Sequence, residues 1–186
     1  MEEYTFKKST CERYDIRAKN NWGWAIITID ENGGLFNAQS DYGNYSYSWP
    51  HHGRKSFKHF ILELVEDKSY FLGKVADDNY YYQNETEEDF KREVLRARKE
   101  HELDENEARE LWNEIIEFDY SSKECLENEL YSSNIVAKYY PEPWYSFSPR
   151  KGCSPQAHAF CDKIMPIFGE IIEKEIAGIE VVKYEQ

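Results

Sequence analysis

A chain of 186 residues with 40% hydrophobic residues and a net charge of −13 holds enough apolar material for a core, which excludes a wholly disordered protein. No apolar run approaches the ~20 residues that span a bilayer, and the opening Met-Glu-Glu-Tyr-Thr-Phe-Lys-Lys lacks the apolar centre of a signal peptide. These features exclude a membrane span, and predict a soluble cytoplasmic protein whose four cysteines (Cys11, Cys125, Cys153, Cys161) stay free thiols.

In chain order, residues 4–18 are expected to supply one strand. Trp22-Gly-Trp-Ala-Ile-Ile-Thr-Ile29 is a nearly continuous β-branched and aromatic run, suited to a strand covered on both faces. Asn32-Gly33 signals a hairpin because both residues tolerate positive φ, and Leu35 to Asp41 forms the return strand. Tyr42-Gly43-Asn44 gives a second tight turn. Tyr45, Tyr47 and Trp49 then alternate with serines, which places the three rings on one face of a further strand.

Pro50 and Gly53 end the sheet, and Ser56 is placed to cap a helix whose Phe57, Phe60, Ile61 and Leu64 share one side. A short helical piece follows at Tyr70 to Val75. Thr86 with Asp89, and Asp104 with Glu107, have the spacing of capping boxes that open two helices of an antiparallel hairpin. A further helix is expected at 122–131. Three prolines make residues 140–153 irregular, while Trp144, Tyr145 and Phe147 suggest that the segment packs down. Ser154 and Pro155 start a final helix that Pro166 should kink and Gly178 should end.

The fold class is therefore α+β: an N-terminal antiparallel sheet of three or four strands packed with helices, and a mostly helical C-terminal part. One domain over 1–186 is expected, with the sheet and first helices in 1–84. An acidic hairpin occupies 85–130, and an irregular segment and C-terminal helix fill 131–186. The hairpin region holds seventeen acids against seven bases. It reads either as solvated helix faces or as a negative surface for a basic partner. On the second reading, charge reversal at Glu107, Glu110 and Glu114 weakens binding and leaves the fold intact.

The densest chemistry lies in residues 39–60. Tyr42, Tyr45, Tyr47 and Trp49 lead into three of the five histidines and into Arg54, Lys55 and Lys58. Asp41, Tyr45, His51 and Arg54 are the candidate site residues, bordering a pocket for a partner or a small anionic ligand such as a nucleotide. Arg54 would be the anion anchor, and the amides at Ser56 would add donors. The rival account is structural: Asp41 caps the turn, the rings fill the core, and Arg54 pairs with a helical carboxylate. The chain's charge weighs against a polymeric nucleic acid as partner.

Two metal arrangements come into question. His51, His52 and His59 with Asp41 lack the HxH, HxxxH or HExxH spacing of ligands on a regular element. Cys153, His158 and Cys161, with Cys125 as a fourth ligand, lack a CxxC knuckle. The chain has no G-x-S-x-G elbow, P-loop, dinucleotide fingerprint or kinase signature, so no catalytic residue and no cofactor is assigned.

The segment Trp22-Gly-Trp-Ala, Gly34-Leu35, Gln39-Ser-Asp-Tyr-Gly-Asn-Tyr-Ser-Tyr-Ser-Trp-Pro, with Pro141-Glu-Pro-Trp-Tyr and Phe160-Cys-Asp-Lys-Ile-Met-Pro166, resembles small uncharacterised proteins encoded by bacteriophages and prophages. Ser40-Asp-Tyr-Gly-Asn-Tyr45 is the most specific part of the likeness. The resemblance implies a bacterial host cytoplasm and an accessory role, and by analogy the binding of a host factor in counter-defence or host takeover. The leading expectation is thus a non-catalytic protein that binds a host or phage protein. A nucleotide or small-ligand binder using residues 42–58 stands second, and a metal-dependent enzyme third.

Overall fold

The computed structural model describes residues 4–17 and 23–179, so Trp22 of the first predicted core strand lies outside the described residues. The architecture is the α+β class read from the sequence. Its contacts divide into two compact units, Met1–Asp78 with Cys153–Gln186, and Asn79–Gly152.

The first unit holds an antiparallel four-stranded meander in the order β1-β2-β3-β4. Its strands are β1 (Glu12–Arg17), β2 (Trp24–Asp30), β3 (Leu35–Ser40) and β4 (Gly43–Ser48). Alternation decides what is buried. Ala25, Ile27 and Ile29 of β2 sit opposite Ser40, Ala38 and Phe36 of β3, and all but Ser40 are sealed from solvent. The intervening Trp24, Ile26 and Thr28 are only half-buried. The apolar run therefore packs on one face, not two as its composition suggested. Arg17 lies over the Trp24 ring at 5.7 Å, so a long cation covers part of the second face.

The β2–β3 hairpin forms as expected, through a different residue. Asn32 and Gly33 keep negative φ, and Gly34 takes φ 65°. A Cβ on Gly34 would lie 2.2 Å from the Trp49 carbonyl oxygen, so only glycine fits where the Trp49 amide donates to the Gly34 carbonyl (2.8 Å). The second turn is centred on Asp41 and Tyr42, with Ser40 paired to Gly43. The Ser40 Oγ donates to the Gly43 carbonyl (2.8 Å) and accepts from the Tyr42 amide (3.1 Å).

Four helices cover the buried sheet face: α1 (Phe57–Glu66), α2 (Lys68–Val75), α7 (Pro155–Lys163) and α8 (Met165–Ile176). The predicted final helix is interrupted at Ile164 and becomes two. Pro166 sits in the first turn of α8, where its missing N–H costs nothing. Phe36, Phe57, Phe71, Phe160 and Phe168 are fully buried in the core.

The second unit begins and ends on a two-residue ladder of β5 (Tyr80–Tyr81) with β6 (Lys151–Gly152). Between them run α3 (Gln83–Lys99), α4 (Glu105–Ile116), α5 (Lys123–Ser132), α6 (Asn134–Tyr139) and a 3-10 turn at Pro143–Tyr145. The helix at Asn134, capped by the Ser133 hydroxyl, is absent from the sequence reading. Asp104 and Glu107 form the full reciprocal capping box. Thr86 does not cap: α3 starts earlier, at Gln83, with no side-chain cap. The buried Thr86 hydroxyl instead donates to the Tyr82 carbonyl (2.6 Å) and accepts from the Arg150 amide (2.9 Å). It ties the two ends of the unit together.

Candidate functional site

The structure gives each of the four candidate residues in 39–60 a local place. The Asp41 carboxylate accepts from the Trp24 amide at 3.2 Å and so closes the sheet end beside the turn. Tyr45 is buried, its ring 4.6 Å from that of Phe160, and its hydroxyl donates to the Tyr42 carbonyl at 2.5 Å. Burial raises the pKa of this phenol, with the nearby Cys161 and Cys153 adding to the effect. His51 lies exposed in the turn after β4. Arg54 forms an ion pair with Glu63 of α1, which holds the Glu63 carboxyl below the usual carboxylate range. Among the described residues no hydrogen bond or ion pair links any two of these four.

The neighbouring groups are also engaged. Trp49 is buried among Phe57, Phe60 and Phe71, and its indole N–H donates to the Tyr70 hydroxyl at 3.2 Å. Tyr47, at 37% exposure, departs from the other two rings because β4 is a sheet edge. His52 lies against Phe57 and Phe60, and the His59 Nδ1 is 2.7 Å from the Ser56 Oγ.

The donors at the start of α1 already have an anion. Glu31, from the β2–β3 loop, accepts from the amides of Phe57 (3.0 Å) and Lys58 (3.3 Å). A carboxylate from the same chain thus occupies the position the sequence reading gave to a ligand.

Lys58 sits in a four-group cluster. Its ammonium donates to Glu12 (2.7 Å) and Glu175 (2.8 Å), and the Tyr14 hydroxyl lies within hydrogen-bond distance of the same two carboxylates (2.7 and 2.9 Å), its single proton shared between them. Burial works to raise the Glu12 pKa, but the hydrogen bonds of Lys58 and Tyr14 and the Lys58 charge outweigh it and leave the carboxyl below its ordinary value. Burial and the two carboxylates push the Tyr14 phenol far up. The cluster joins β1, α1 and α8.

Burial lifts the Cys161 thiol to about 12, so it stays protonated at neutral pH and is a poor nucleophile. Among the described residues no three His, Cys, Asp or Glu side chains stand together as metal ligands do, and Cys153, His158 and Cys161 form no such group.

The helical unit differs. Its acids are largely engaged within the chain: Arg96 alone contacts Glu93, Glu100 and Glu102. Glu107 closes the capping box, Glu110 accepts from Lys138 (3.0 Å) and Tyr139 (2.5 Å), and Glu114 accepts from the Ser133 hydroxyl (2.6 Å). Reversing these three charges would therefore remove contacts within the chain as well as change the sign of the surface. A 410 Å³ cleft lies beside Glu114, with Glu117 and Glu129 also on its wall.

What the unit presents outward is aromatic. Residues 140–153 were expected to pack down on the evidence of Trp144, Tyr145 and Phe147, and of these three rings only Phe147 is buried. Phe147 is sealed between Phe90 (5.0 Å) and Tyr140 (4.8 Å), and its amide donates to the carbonyl of the buried Pro143 at 2.7 Å. Between these two anchors Trp144 and Tyr145 are turned out, 45% and 79% exposed. Tyr131 of α5, 57% exposed, lies 6.4 Å from the Trp144 ring, and Tyr145 lies 5.9 Å from it. Sequence reasoning missed this trio. The available signal was the adjacency of Trp144 and Tyr145, since consecutive residues on a 3-10 turn point about 120° apart and cannot share one inward side.

Among the described residues no helix is long and apolar enough to cross a membrane. No curated protein and no solved structure matches the chain. A family model does: Phage_phiTE_072, described as a phage family, matches residues 4–174. With nearly the whole chain covered, the protein belongs to this phage family.

Proposed function

We propose that this phage protein acts without catalysis, by binding a host or phage protein through the Tyr131–Trp144–Tyr145 cluster. The observation that carries the reading is the outward presentation of three large aromatics, Trp144 and Tyr145 on an anchored turn and Tyr131 beside them on α5. Exposing them in the free protein costs hydrophobic free energy, about 25 cal/mol per Å² of apolar surface left in water. Trp and Tyr are the side chains most enriched at interface hot spots, because each buries a large area while keeping a polar group for a partner. Pro143 and Phe147 hold the turn in place, so little ordering entropy is left for the binding step. Interference with host defence or takeover of host machinery is the setting in which such binding serves a phage.

A small-ligand role for residues 42–58 has less support, since Glu63 and Glu31 hold the groups that would take an anion. The test is affinity capture from phage-infected cells, comparing the native chain with a Tyr131→Ser, Trp144→Ser, Tyr145→Ser variant. One defined protein should be retained by the native chain and lost by the variant, with identical circular dichroism. Equal retention by both would overturn the assignment of the cluster.

A further inference from the structure

The helical unit carries a second apolar surface. The core uses Phe90, Val94 and Ala97 of α3 and Ala108, Leu111 and Ile115 of α4. Leu95, Trp112 and Ile116 each follow a core residue by one position, and so lie about 100° further round their helices. Leu95 is 57% exposed and Ile116 42%. Leu95 of α3 and Ile116 of α4 are thus apolar positions that the core does not bury, and Trp112, packed partly against the core, keeps one edge open beside them. Leu95 and Trp112 meet in a groove of 240 Å³ between α3 and α4, floored by Val94 and Ala108.

The rim is basic, in the most acidic part of the chain. Of the bases in residues 85–130, Lys91, Arg92, Arg96 and Lys123 are held in close ion pairs. The two on the groove are not, and neither is Lys99, which lies off it. Arg98 has no ion pair among the described residues, and Arg109 reaches only Glu105 at 3.4 Å, with the Arg109 and Glu105 side chains 70% and 72% exposed.

We infer that this groove receives an acidic amphipathic helix from a partner protein, its apolar ridge against Leu95 and Trp112 and its carboxylates on Arg98 and Arg109. Size and shape select this occupant. The volume falls below the roughly 300–1,000 Å³ of small-molecule sites. Two antiparallel helices present a furrow along their axes, which the side-chain ridge of a third helix fills at about 8–10 Å. There is no sheet edge here for an extended peptide to join. The guanidinium fork matches carboxylates. This surface is distinct from the aromatic cluster, and the inference does not depend on that reading.

The test uses the full chain and two labelled helical peptides that share leucines at i, i+3, i+4 and i+7. One carries glutamates flanking the leucines and the other lysines, and binding is read by fluorescence anisotropy. The net charge of −13 works against the acidic peptide, so any preference for it arises locally. The acidic peptide should bind at least tenfold more tightly than the basic one, more weakly as salt rises, and not at all to Leu95→Glu. The double variant Arg98→Glu, Arg109→Glu should reverse the preference. Equal binding of the two peptides, or tighter binding of the lysine peptide by the native chain, would overturn the inference. So would sedimentation showing that the native chain self-associates through Leu95, because the occupant would then be a second copy.

Discussion

Each unit of this protein contains a short run dense in aromatic residues, and the two runs meet opposite fates. In the sheet unit Tyr45 and Trp49 are both 6% exposed, while in the helical unit Trp144 and Tyr145 are 45% and 79% exposed. The cause is periodicity. From Tyr45 to Trp49 every second residue is aromatic, which matches the strand's period of two and sends Tyr45 inward toward Phe160 and Trp49 into the core, while Tyr47 between them stays 37% exposed at the sheet edge. At Pro143–Tyr145 the aromatics are adjacent on a 3-10 turn, and Pro143 and Phe147 take the inward side. A concentration of rings, histidines and cations is therefore a poor guide to a working surface until its period is compared with the element that bears it.

The largest effect that would break this contrast is expected at Gly34. Gly34→Val places a Cβ against the Trp49 backbone in the left-handed region, where a β-branched residue is strained. The β2–β3 hairpin and the start of the Trp49 packing should be lost, at about 3 kcal/mol or more. Thermal unfolding followed by tryptophan fluorescence would show it as a drop of roughly 10 °C, taking about 2–4 °C per kcal/mol for a chain of this size. A fall of only a degree or two would mean that the loop can move away from Trp49.

An effect of comparable size tests the anchor, and a much smaller one tests the display. Phe147→Ala should cost about 3–5 kcal/mol through the cavity left between Phe90 and Tyr140. Trp144→Ala, three residues away, should change stability by less than about 1 kcal/mol. Urea denaturation of both variants gives the two numbers. Similar losses would show that Trp144 is part of the core, and would remove the basis for a binding role.

Much of the fold was legible in the sequence because its signals are local. The meander, the capping box at Asp104 and the helix starts at Ser56, Ser122 and Ser154 follow from hydrogen bonds spanning a few residues. Part of what was not legible depended on partners distant in the chain. Glu31 and Phe57 are 26 residues apart, and Thr86 and Arg150 are 64 apart. No spacing rule connects either pair. Asp41, Tyr45, His51 and Arg54 formed a cluster in sequence because they are near in the chain. The fold sends Tyr45 into the core and gives Asp41 and Arg54 partners of their own, while His51 stays at the surface.

The cluster of Lys58, Glu12, Glu175 and Tyr14 sharpens the comparison through pH. The Glu12 pKa is lowered in the folded state, so its contribution is present above the unfolded carboxylate pKa and fades as pH falls through and below the ordinary carboxylate range. Tyr14 and Lys58 are raised, so theirs is present below their unfolded pKa values and fades as pH rises past about 10. Lys58→Met should reduce stability at neutral pH by about 1 kcal/mol, since the Glu12 side of the pair is partly exposed. It should also flatten the stability profile at both extremes. An unchanged profile in the variant would assign the acid and alkaline limits to other groups.

Arg54→Ala should have the smallest effect of all, and it bears most directly on the contrast between the two units. Its guanidinium and Glu63 are both about half exposed, and pairs of that kind contribute little to stability because water and salt screen them. The melting temperature should therefore stay nearly unchanged. If the aromatic cluster of the helical unit carries recognition, Arg54→Ala should also leave capture of the partner intact while Trp144→Ser abolishes it. The informative exception is a variant that melts normally but no longer retains the partner. Glu63 would then be a placeholder that a carboxylate or phosphate displaces, and the aromatic and basic run at residues 42–58 would return as the working surface. Measuring both variants side by side, at low and at physiological salt, separates these outcomes: an anion bound at Arg54 weakens as ionic strength rises, whereas burial of Trp144 does not.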